Sequence, residues 1–178
     1  ITGAGGSVVE SGYPSFQRAV ALADGSVALV WRNDGFNFST GTWGSTAGVW
    51  FSKVTKAGAV LTPVRLDTLG YPEAPDLAVT PDRRVAVVWS GGDEATGTTR
   101  VHLQYLGEGG ALLGSRITIA SYLTGAGSYR YPQVGALPDG NVMVMWRGGA
   151  VTSSGSEIST RVFDPSGRAV STAQRLAT

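Results

Sequence analysis

One long loop concentrates side chains that are suited to holding a neutral, hydroxyl-rich ligand. It runs from Arg32 to Gly48 and contains two polar and three aromatic candidates: Asn33, Asp34, Phe36, Phe38 and Trp43. An aromatic ring can stack on the C–H face of a sugar while amides and carboxylates bind its hydroxyls. Trp43 lies in the sequence GTWGS, which has no strand pattern, so we expect it to stack on the ligand. Tyrosine and tryptophan are also enriched at protein interfaces, so protein contact remains an alternative.

Two tyrosines and two arginines join this candidate set by position. Tyr129 and Tyr131 lie just before an apolar run, and Arg32 and Arg147 each follow a tryptophan. Solvated surface arginines would give the same pattern. The predicted ligand-binding residues are therefore Trp43, Phe36, Phe38, Asp34, Asn33, Tyr129, Tyr131, Arg32 and Arg147.

These residues can form a site only if a repeated framework places their loops together. A sixteen-residue stretch occurs three times without a gap: Phe16 to Trp31, Ala74 to Trp89 and Tyr131 to Trp146. Its closing tryptophans are 58 and then 57 residues apart. Such a regular period indicates three copies of one supersecondary unit.

Each copy has the pattern of two short strands joined by a tight hairpin. Asp24, Asp82 and Asp139 occupy the turns, where aspartate bonds back to the backbone. Two further alternating runs follow each copy, which predicts twelve strands in three groups of four and no helix. The chain is predicted to be one all-β domain, 1–178, with antiparallel units of about 1–68, 69–120 and 121–178.

The strand that ends at Trp31 is apolar on both faces. Val27, Leu29 and Trp31 point to one side and Ala28 and Val30 to the other. We expect both sides to be buried and the three repeated tryptophans to pack between neighbouring sheets.

Three four-stranded units favour β-propeller blades, with a β-prism as the alternative. Small residues such as Ala19, Ala78 and Gly135 in the first strand of each unit would line a central channel. Three blades cannot close a propeller, since known ones have about four to eight. We therefore expect a six-bladed ring built by a homodimer, or a part of a longer chain. Either geometry places the short turns at one edge and the long loops at the other, which is the expected binding edge.

The composition excludes several classes of partner. Lys+Arg 14 against Asp+Glu 13 leaves no basic excess for nucleic acid. No apolar run approaches the length that spans a membrane, and the chain lacks cysteine, so neither membrane insertion nor a thiolate metal site is expected. We predict no cofactor and no metal.

Catalysis is not predicted. His102 is the lone histidine, and no G-x-S-x-G, H-E-x-x-H or P-loop motif occurs. The loop carboxylates Asp34, Asp93 and Glu94 cannot be placed as a pair from sequence. The prediction is that the chain is not an enzyme.

The third unit carries a family resemblance. Its residues Tyr131-Pro132-Gln133-Val134 through Asp139-Gly140 to Trp146, followed by Phe163-Asp164-Pro165-Ser166-Gly167, resemble tandem repeats of bacterial secreted and surface proteins, including RTX-type adhesins. The calcium-binding nonapeptide of such proteins is absent, so calcium does not carry over. Asp139-Gly140-Asn141-Val142 is more weakly similar to a pattern of repeat-built lectins. The first resemblance implies a secreted or cell-surface location and an adhesive role.

The resulting hypothesis is a carbohydrate-binding, lectin-like or adhesive module of a secreted bacterial protein, without catalysis. The alternative is a structural or protein-interaction module whose blades assemble with themselves or with another chain.

Overall fold

The fold is all-β in the computed structural model, which describes residues 14–37, 42–43, 47–67, 72–93, 96–123, 130–152 and 155–176. Strands and turns account for its regular structure, and these residues contain no helix. No membrane-spanning helix is therefore found in the described ranges.

The strands form three antiparallel sheets of four strands, and each sheet is built from one of the three consecutive repeats. We call each sheet a blade. Blade 1 contains β1 (Pro14–Ala21), β2 (Val27–Asn33), β5 (Gly48–Val54) and β6 (Val64–Arg65), with the hairpin β3 (Phe36–Asn37) and β4 (Thr42–Trp43) inserted between β2 and β5. Blade 2 contains β7 (Pro72–Val79), β8 (Arg84–Asp93), β9 (Thr98–Gly107) and β10 (Leu112–Leu123). Blade 3 contains β11 (Gln133–Ala136), β12 (Val142–Thr152), β13 (Gly155–Phe163) and β14 (Gln174–Leu176). The predicted three groups of four strands are confirmed.

Consecutive blades stack face to face. Strand β8 alternates between two cores: Val85, Val87 and Trp89 pack with blade 1, whereas Ala86 and Val88 pack with blade 3. Blade 2 is thus covered on both faces, which is the packing of propeller blades and not of three sheets that face one prism axis. The three sheets do not close into a ring.

The first strands of the three blades lie side by side at the inner edge of the stack, where β7 contacts both β1 and β11. Asp76 on β7 links them, because its Oδ1 lies 3.8 Å from Nε of Arg18 on β1 and its Oδ2 accepts a hydrogen bond of 3.0 Å from the backbone N–H of Val134 on β11. Ala19 and Gly135 on these strands are exposed. Small exposed residues at this edge match the predicted lining of a central channel.

Two of the repeated tryptophans are buried between blades, as predicted. The indole Nε1 of Trp89 donates to Oδ2 of Asp67 at 2.5 Å, and that of Trp146 donates to the Tyr122 hydroxyl at 2.7 Å. Both acceptors come from the preceding blade, since Asp67 follows β6 and Tyr122 lies on β10. The buried Asp67 carboxylate also accepts from Nη1 of Arg116 at 2.9 Å.

Trp31 differs from its two counterparts. It is only half-buried, as are Val27 and Leu29 on the same face of β2, while Ala28 and Val30 on the other face are fully buried against blade 2. The expectation that β2 is buried on both sides is therefore wrong. The physical reason is that no described sheet precedes blade 1 to cover this face.

Six hairpin turns, each joining the first two or the last two strands of a blade, share one hydrogen-bond pattern. In the first, Leu22 N donates to Ser26 O at 2.8 Å and Gly25 N donates to Leu22 O at 3.0 Å. The same pair of bonds recurs at Thr55, Thr80, Gly107, Leu137 and Asp164. This is a type I turn followed by a left-handed residue, a common three-residue hairpin loop.

Two of the three turn aspartates bond back to the backbone as predicted. Oδ1 of Asp24 accepts from Ser26 N at 2.9 Å, and Oδ1 of Asp139 accepts from Asn141 N at 3.0 Å. Asp82 instead accepts from Oγ1 of Thr80 at 2.5 Å. The left-handed position is glycine in five turns and Arg83, at φ 64, in the sixth.

Replacing Gly58 by alanine tests this turn pattern. Gly58 has φ +85 and open space where a Cβ would lie, so only backbone strain opposes the change. We expect Gly58→Ala to lower the free energy of unfolding by about 1–2 kcal/mol in urea denaturation. The matched control is Gly109→Ala, which also has open space, no positive φ, and an alanine, Ala57, at the equivalent position of blade 1. Equal effects of the two substitutions would contradict the assignment.

Candidate functional site

Each inner strand carries the same β-bulge near its start. Ser15 pairs with Arg32 and Arg18 with Val30, so β1 advances three residues while β2 advances two. Strand β7 repeats this between Glu73 and Asp76. In blade 3, Arg147 N donates to Arg130 O at 2.8 Å and Gln133 pairs with Met145, which gives the same offset. A bulge redirects side chains, and bulges are over-represented next to functional sites.

The extra residue in each bulge has a left-handed backbone. Phe16 has φ 54, Ala74 has φ 39 and Tyr131 has φ 41, and each lies fifteen residues before its repeated tryptophan. None is glycine, so each conformation costs about 1–3 kcal/mol, which the surrounding structure must offset. Strain of this kind, repeated at one position in three blades, singles out this edge of the fold.

The three bulges converge on a cleft of about 160 Å³ at the end of the inner strands. We call this cleft the mouth and define it by six residues at two equivalent positions of the three blades: Phe16, Arg18, Ala74, Asp76, Tyr131 and Gln133. The aromatic side chains of Phe16 and Tyr131 are 42% and 49% exposed. Two exposed rings thus stand beside a guanidinium, a carboxylate and an amide.

A second charged pair lies at the junction of blades 1 and 2, beside the mouth. The guanidinium of Arg32 lies 6.0 Å from the centroid of the Phe16 ring and is close enough to Glu73 to act on its charge. Nε of Arg32 and Oε2 of Glu73 are both buried and have no hydrogen-bond partner among the described residues. Burial raises the pKa of Glu73 from the ordinary 4.5 to about 7, against the opposing charge of Arg32. A carboxyl in this position holds a proton near neutral pH.

The loop residues predicted from sequence lie at the same edge as the mouth. Phe36 and Trp43 are paired across the β3–β4 hairpin. That hairpin follows the end of β2, and Pro14 at the start of β1 pairs with Asn33 at the end of β2. The backbone therefore places the predicted loop and the mouth at one end of blade 1.

The remaining predicted residues fall in different surroundings. Asn33 is buried, and its Oδ1 accepts from Gly35 N at 2.9 Å, which holds the start of the loop. Asp34 follows it and is half-buried. Arg147 is half-buried and lines a larger cleft of about 560 Å³ together with Tyr131. Phe38 and Tyr129 lie outside the described residues, and the binding role of the whole set stays a prediction.

Sequence reasoning missed most of the mouth. Phe16, Arg18, Asp76 and Gln133 lie on or before the first strands of the blades, where only the small residues are expected to line a channel, and Glu73 has no motif around it. The repeat itself held one signal, because Phe16, Ala74 and Tyr131 are the first residues of its three copies. Their types share nothing that marks a left-handed backbone.

The lone histidine has a structural position. His102 is buried with its ring centroid 5.4 Å from that of Trp89, and burial lowers its pKa to about 4. It is therefore neutral at pH 7 and remote from solvent. No group of three or more acidic or histidine side chains that could hold a metal ion occurs in the described part of the chain.

Comparisons with known proteins place the fold but not a family. No family model matches the chain, and no curated protein matches it. The resemblance to RTX-type adhesin repeats and to lectins therefore finds no support.

Two solved structures share the architecture. A protein of unknown function from Dyadobacter fermentans aligns with a TM-score of 0.62 and 13% identity over 93% of this chain and 54% of its own. An endo-arabinase from Bacteroides thetaiotaomicron aligns with a TM-score of 0.57 and 11% identity over 94% of this chain and 64% of its own. This chain thus spans 54% of the first protein's length and 64% of the second's. At these identities the likeness shows the fold alone.

The endo-arabinase overturns one prediction. The chain was expected not to be an enzyme because it lacks familiar catalytic motifs, yet an enzyme is found on the same architecture. The absence of short catalytic motifs therefore does not exclude catalysis on this architecture. The exclusion of catalysis is wrong as an inference from motifs.

The raised pKa of Glu73 predicts how stability depends on pH. Between about pH 4.5 and 7 the unfolded chain releases this proton while the folded chain retains it, so the contribution of Glu73 to the free energy of unfolding falls as pH rises. Glu73→Gln stays neutral throughout, and we expect its stability relative to wild type to increase across this window in urea denaturation. His102, whose pKa burial lowers to about 4, acts in the opposite direction over most of this window, but equally in both proteins. Parallel pH curves would contradict the assignment.

Proposed function

We propose that the mouth binds carbohydrate. The observation that carries this proposal is the pair of exposed rings, Phe16 and Tyr131, held in left-handed backbone in the cleft that also contains the Arg18–Asp76 ion pair. Backbone strain that recurs at one position is retained where it aims a side chain, and here two of the three aimed side chains are aromatic.

The chemistry of the mouth fits a sugar better than a charged or apolar ligand. The Phe16 and Tyr131 rings offer apolar faces for C–H groups. Arg18, Asp76 and Gln133 offer donors and acceptors for hydroxyl groups, and the opposite charges of Arg18 and Asp76 cancel. A net-neutral polar centre flanked by rings selects a neutral polyhydroxylated molecule.

Two further features support the proposal. The backbone of the β3–β4 hairpin, which carries Phe36 and Trp43, lies at the same end of blade 1 as the mouth, so the predicted loop adjoins the proposed site. The endo-arabinase with this architecture is itself a carbohydrate-active protein.

A panel of neutral glycans, with Phe16→Ala and Tyr131→Ala as variants, tests the proposal. We expect the wild type to bind a related set of glycans and each variant to bind about two- to tenfold more weakly, the loss expected for one ring contact. Trp43→Ala, measured alongside, reports whether the hairpin takes part.

Leu112→Ala is the control, since this exposed residue lies on β10 at the outer edge of blade 2. It should bind like wild type. Undiminished binding in both mouth variants, with folded protein, would remove the site from the mouth. A blank panel would reject carbohydrate as the ligand.

Hydrolysis of a glycan is a second candidate function, favoured by Glu73. Glycoside hydrolysis commonly needs one carboxylic acid that protonates the leaving oxygen and one carboxylate that activates water or attacks the sugar. Glu73 holds a proton near neutral pH, and Asp76 follows three residues later on the same bulged strand. In this scheme Glu73 gives its proton to the glycosidic oxygen, water adds to the sugar carbon, and Asp76 takes the proton of that water.

Release of reducing ends from arabinan and from any glycan bound in the panel tests this scheme. We expect Glu73→Gln to abolish release while its binding of the glycan persists, because the amide keeps the shape but cannot donate the proton. Asp76→Asn should also abolish release. Release by Glu73→Gln at the wild-type rate, or none by the wild type, would reject hydrolysis through these residues and leave the binding proposal intact.

A further inference from the structure

The first and last blades each leave one apolar face uncovered. The equivalent faces at the two interfaces between blades are buried. On blade 1 this open face consists of Val27, Leu29 and Trp31, all half-buried. Their equivalents, counted from the repeated tryptophans, are fully or almost fully buried in the other two blades: Val85, Val87 and Trp89 in blade 2, and Val142, Val144 and Trp146 in blade 3. The face that carries the repeated tryptophan is thus buried in blades 2 and 3 and uncovered in blade 1.

The open face of blade 3 is the other half of the same interface. It consists of Met143, Met145 and Val162, which are half-buried, and Ile158, which is exposed. By strand register, Met143, Met145 and Ile158 are equivalent to Ala28, Val30 and Val49 of blade 1 and to Ala86, Val88 and Val101 of blade 2. All six of those residues are fully buried against the following blade.

The second turn of each blade shows the same asymmetry. A Cβ at Gly110 of blade 2 would lie 3.3 Å from Phe51 of blade 1, and one at Gly167 of blade 3 would overlap Ile117 of blade 2. The equivalent Gly58 of blade 1 has nothing within 4 Å. Each turn therefore packs on the preceding blade wherever one is present.

We propose that a second copy of this chain covers both open faces, so that two chains form a six-bladed ring. Blade 3 of each copy packs on blade 1 of the other, in the order in which blades 1, 2 and 3 already pack within one chain. A twofold axis relates the two junctions, so each open face meets its complement on the other copy and the assembly closes as a cyclic dimer. Six blades lie within the known range of about four to eight.

The shape of the open face of blade 3 supports this occupant. A cleft of about 560 Å³ lies on it, lined by Met145, Arg147 and Ile158 among others. In the blade 1–blade 2 interface, Trp89 is buried in one cluster with Val30 and Val49, the equivalents of Met145 and Ile158. Trp31 of the second copy, the equivalent of Trp89, is the side chain that fills this cleft.

The charges at the junction agree with this packing. Arg32 on blade 1 acts on Glu73 of blade 2. The equivalents at the new junction are Arg147 and Ser15 of the second copy, so no like charges are brought together at this position. The second copy also contributes its own bulges, and the mouth becomes complete only in the ring.

Complementary charge variants test the ring by molar mass in size-exclusion chromatography with light scattering. We expect the wild type at micromolar concentration to have twice the 18.4 kDa monomer mass. Leu29→Glu on blade 1 and Met145→Lys on blade 3 should each be monomeric. Mixing the two variants should restore the dimer, because one junction is then wild-type and the other pairs Glu with Lys.

The mixing result separates the ring from other dimers. A symmetric dimer that used only the face of blade 1, or only that of blade 3, would not be restored by the mixture. Leu112→Glu, an exposed position on neither open face, should keep the wild-type mass. Circular dichroism confirms that each variant is folded.

Three results would overturn the proposal. The first is a wild-type mass of 18.4 kDa at every concentration, which would assign the open faces to further blades of a longer chain. The second is a series of larger species, which would indicate an open head-to-tail chain. The third is a dimer that persists in folded Leu29→Glu and Met145→Lys.

Discussion

Burial of an indole between successive sheets is the interaction on which the blade arrangement depends. Trp89 and Trp146 each extend from one blade towards the preceding one and place their N–H groups on an acceptor there. A buried N–H without an acceptor is costly, so the preceding blade must supply both apolar surface and one polar atom at a defined point. Asp67 meets this need only because Arg116 balances its buried carboxylate. Where no blade precedes, as at Trp31, the indole remains half-exposed.

The two ends of the blades differ in how they use left-handed backbone. At one end, six turns with the same two backbone bonds join the strands by the shortest route, and glycine or Arg83 takes the left-handed position. At the other end, the same backbone conformation is imposed on Phe16, Ala74 and Tyr131, where it costs free energy. Glycine takes this conformation without strain in five of the six turns, whereas Arg83 and the three bulge residues take it at a cost. The strained edge bears the exposed rings, the Arg18–Asp76 pair and Glu73, whose pKa burial raises to about 7.

Binding and hydrolysis are not exclusive readings of this edge. In the proposed site the rings and the Arg18–Asp76 pair would hold a sugar, and Glu73, whose pKa is about 7, would donate a proton to it. The architecture is shared with an endo-arabinase, although at 11% identity that likeness carries the fold and no residue roles. Whether the mouth is completed by a second chain bears on both readings, since a half-ring leaves the inner strand of the first blade open to solvent.

The sequence by itself determined the repeated architecture. The spacing of Trp31, Trp89 and Trp146, the turn aspartates and the alternating runs predict three blades of four antiparallel strands, because strand period, turn chemistry and repeat length are local properties of the chain. Only the tertiary structure decided which apolar faces are covered and where the bulges lie. Burial of Trp89 but not of Trp31 depends on a neighbouring sheet. The left-handed backbone of Phe16, Ala74 and Tyr131 has no local cause, since these residue types do not favour it. It occurs where the three inner strands lie side by side.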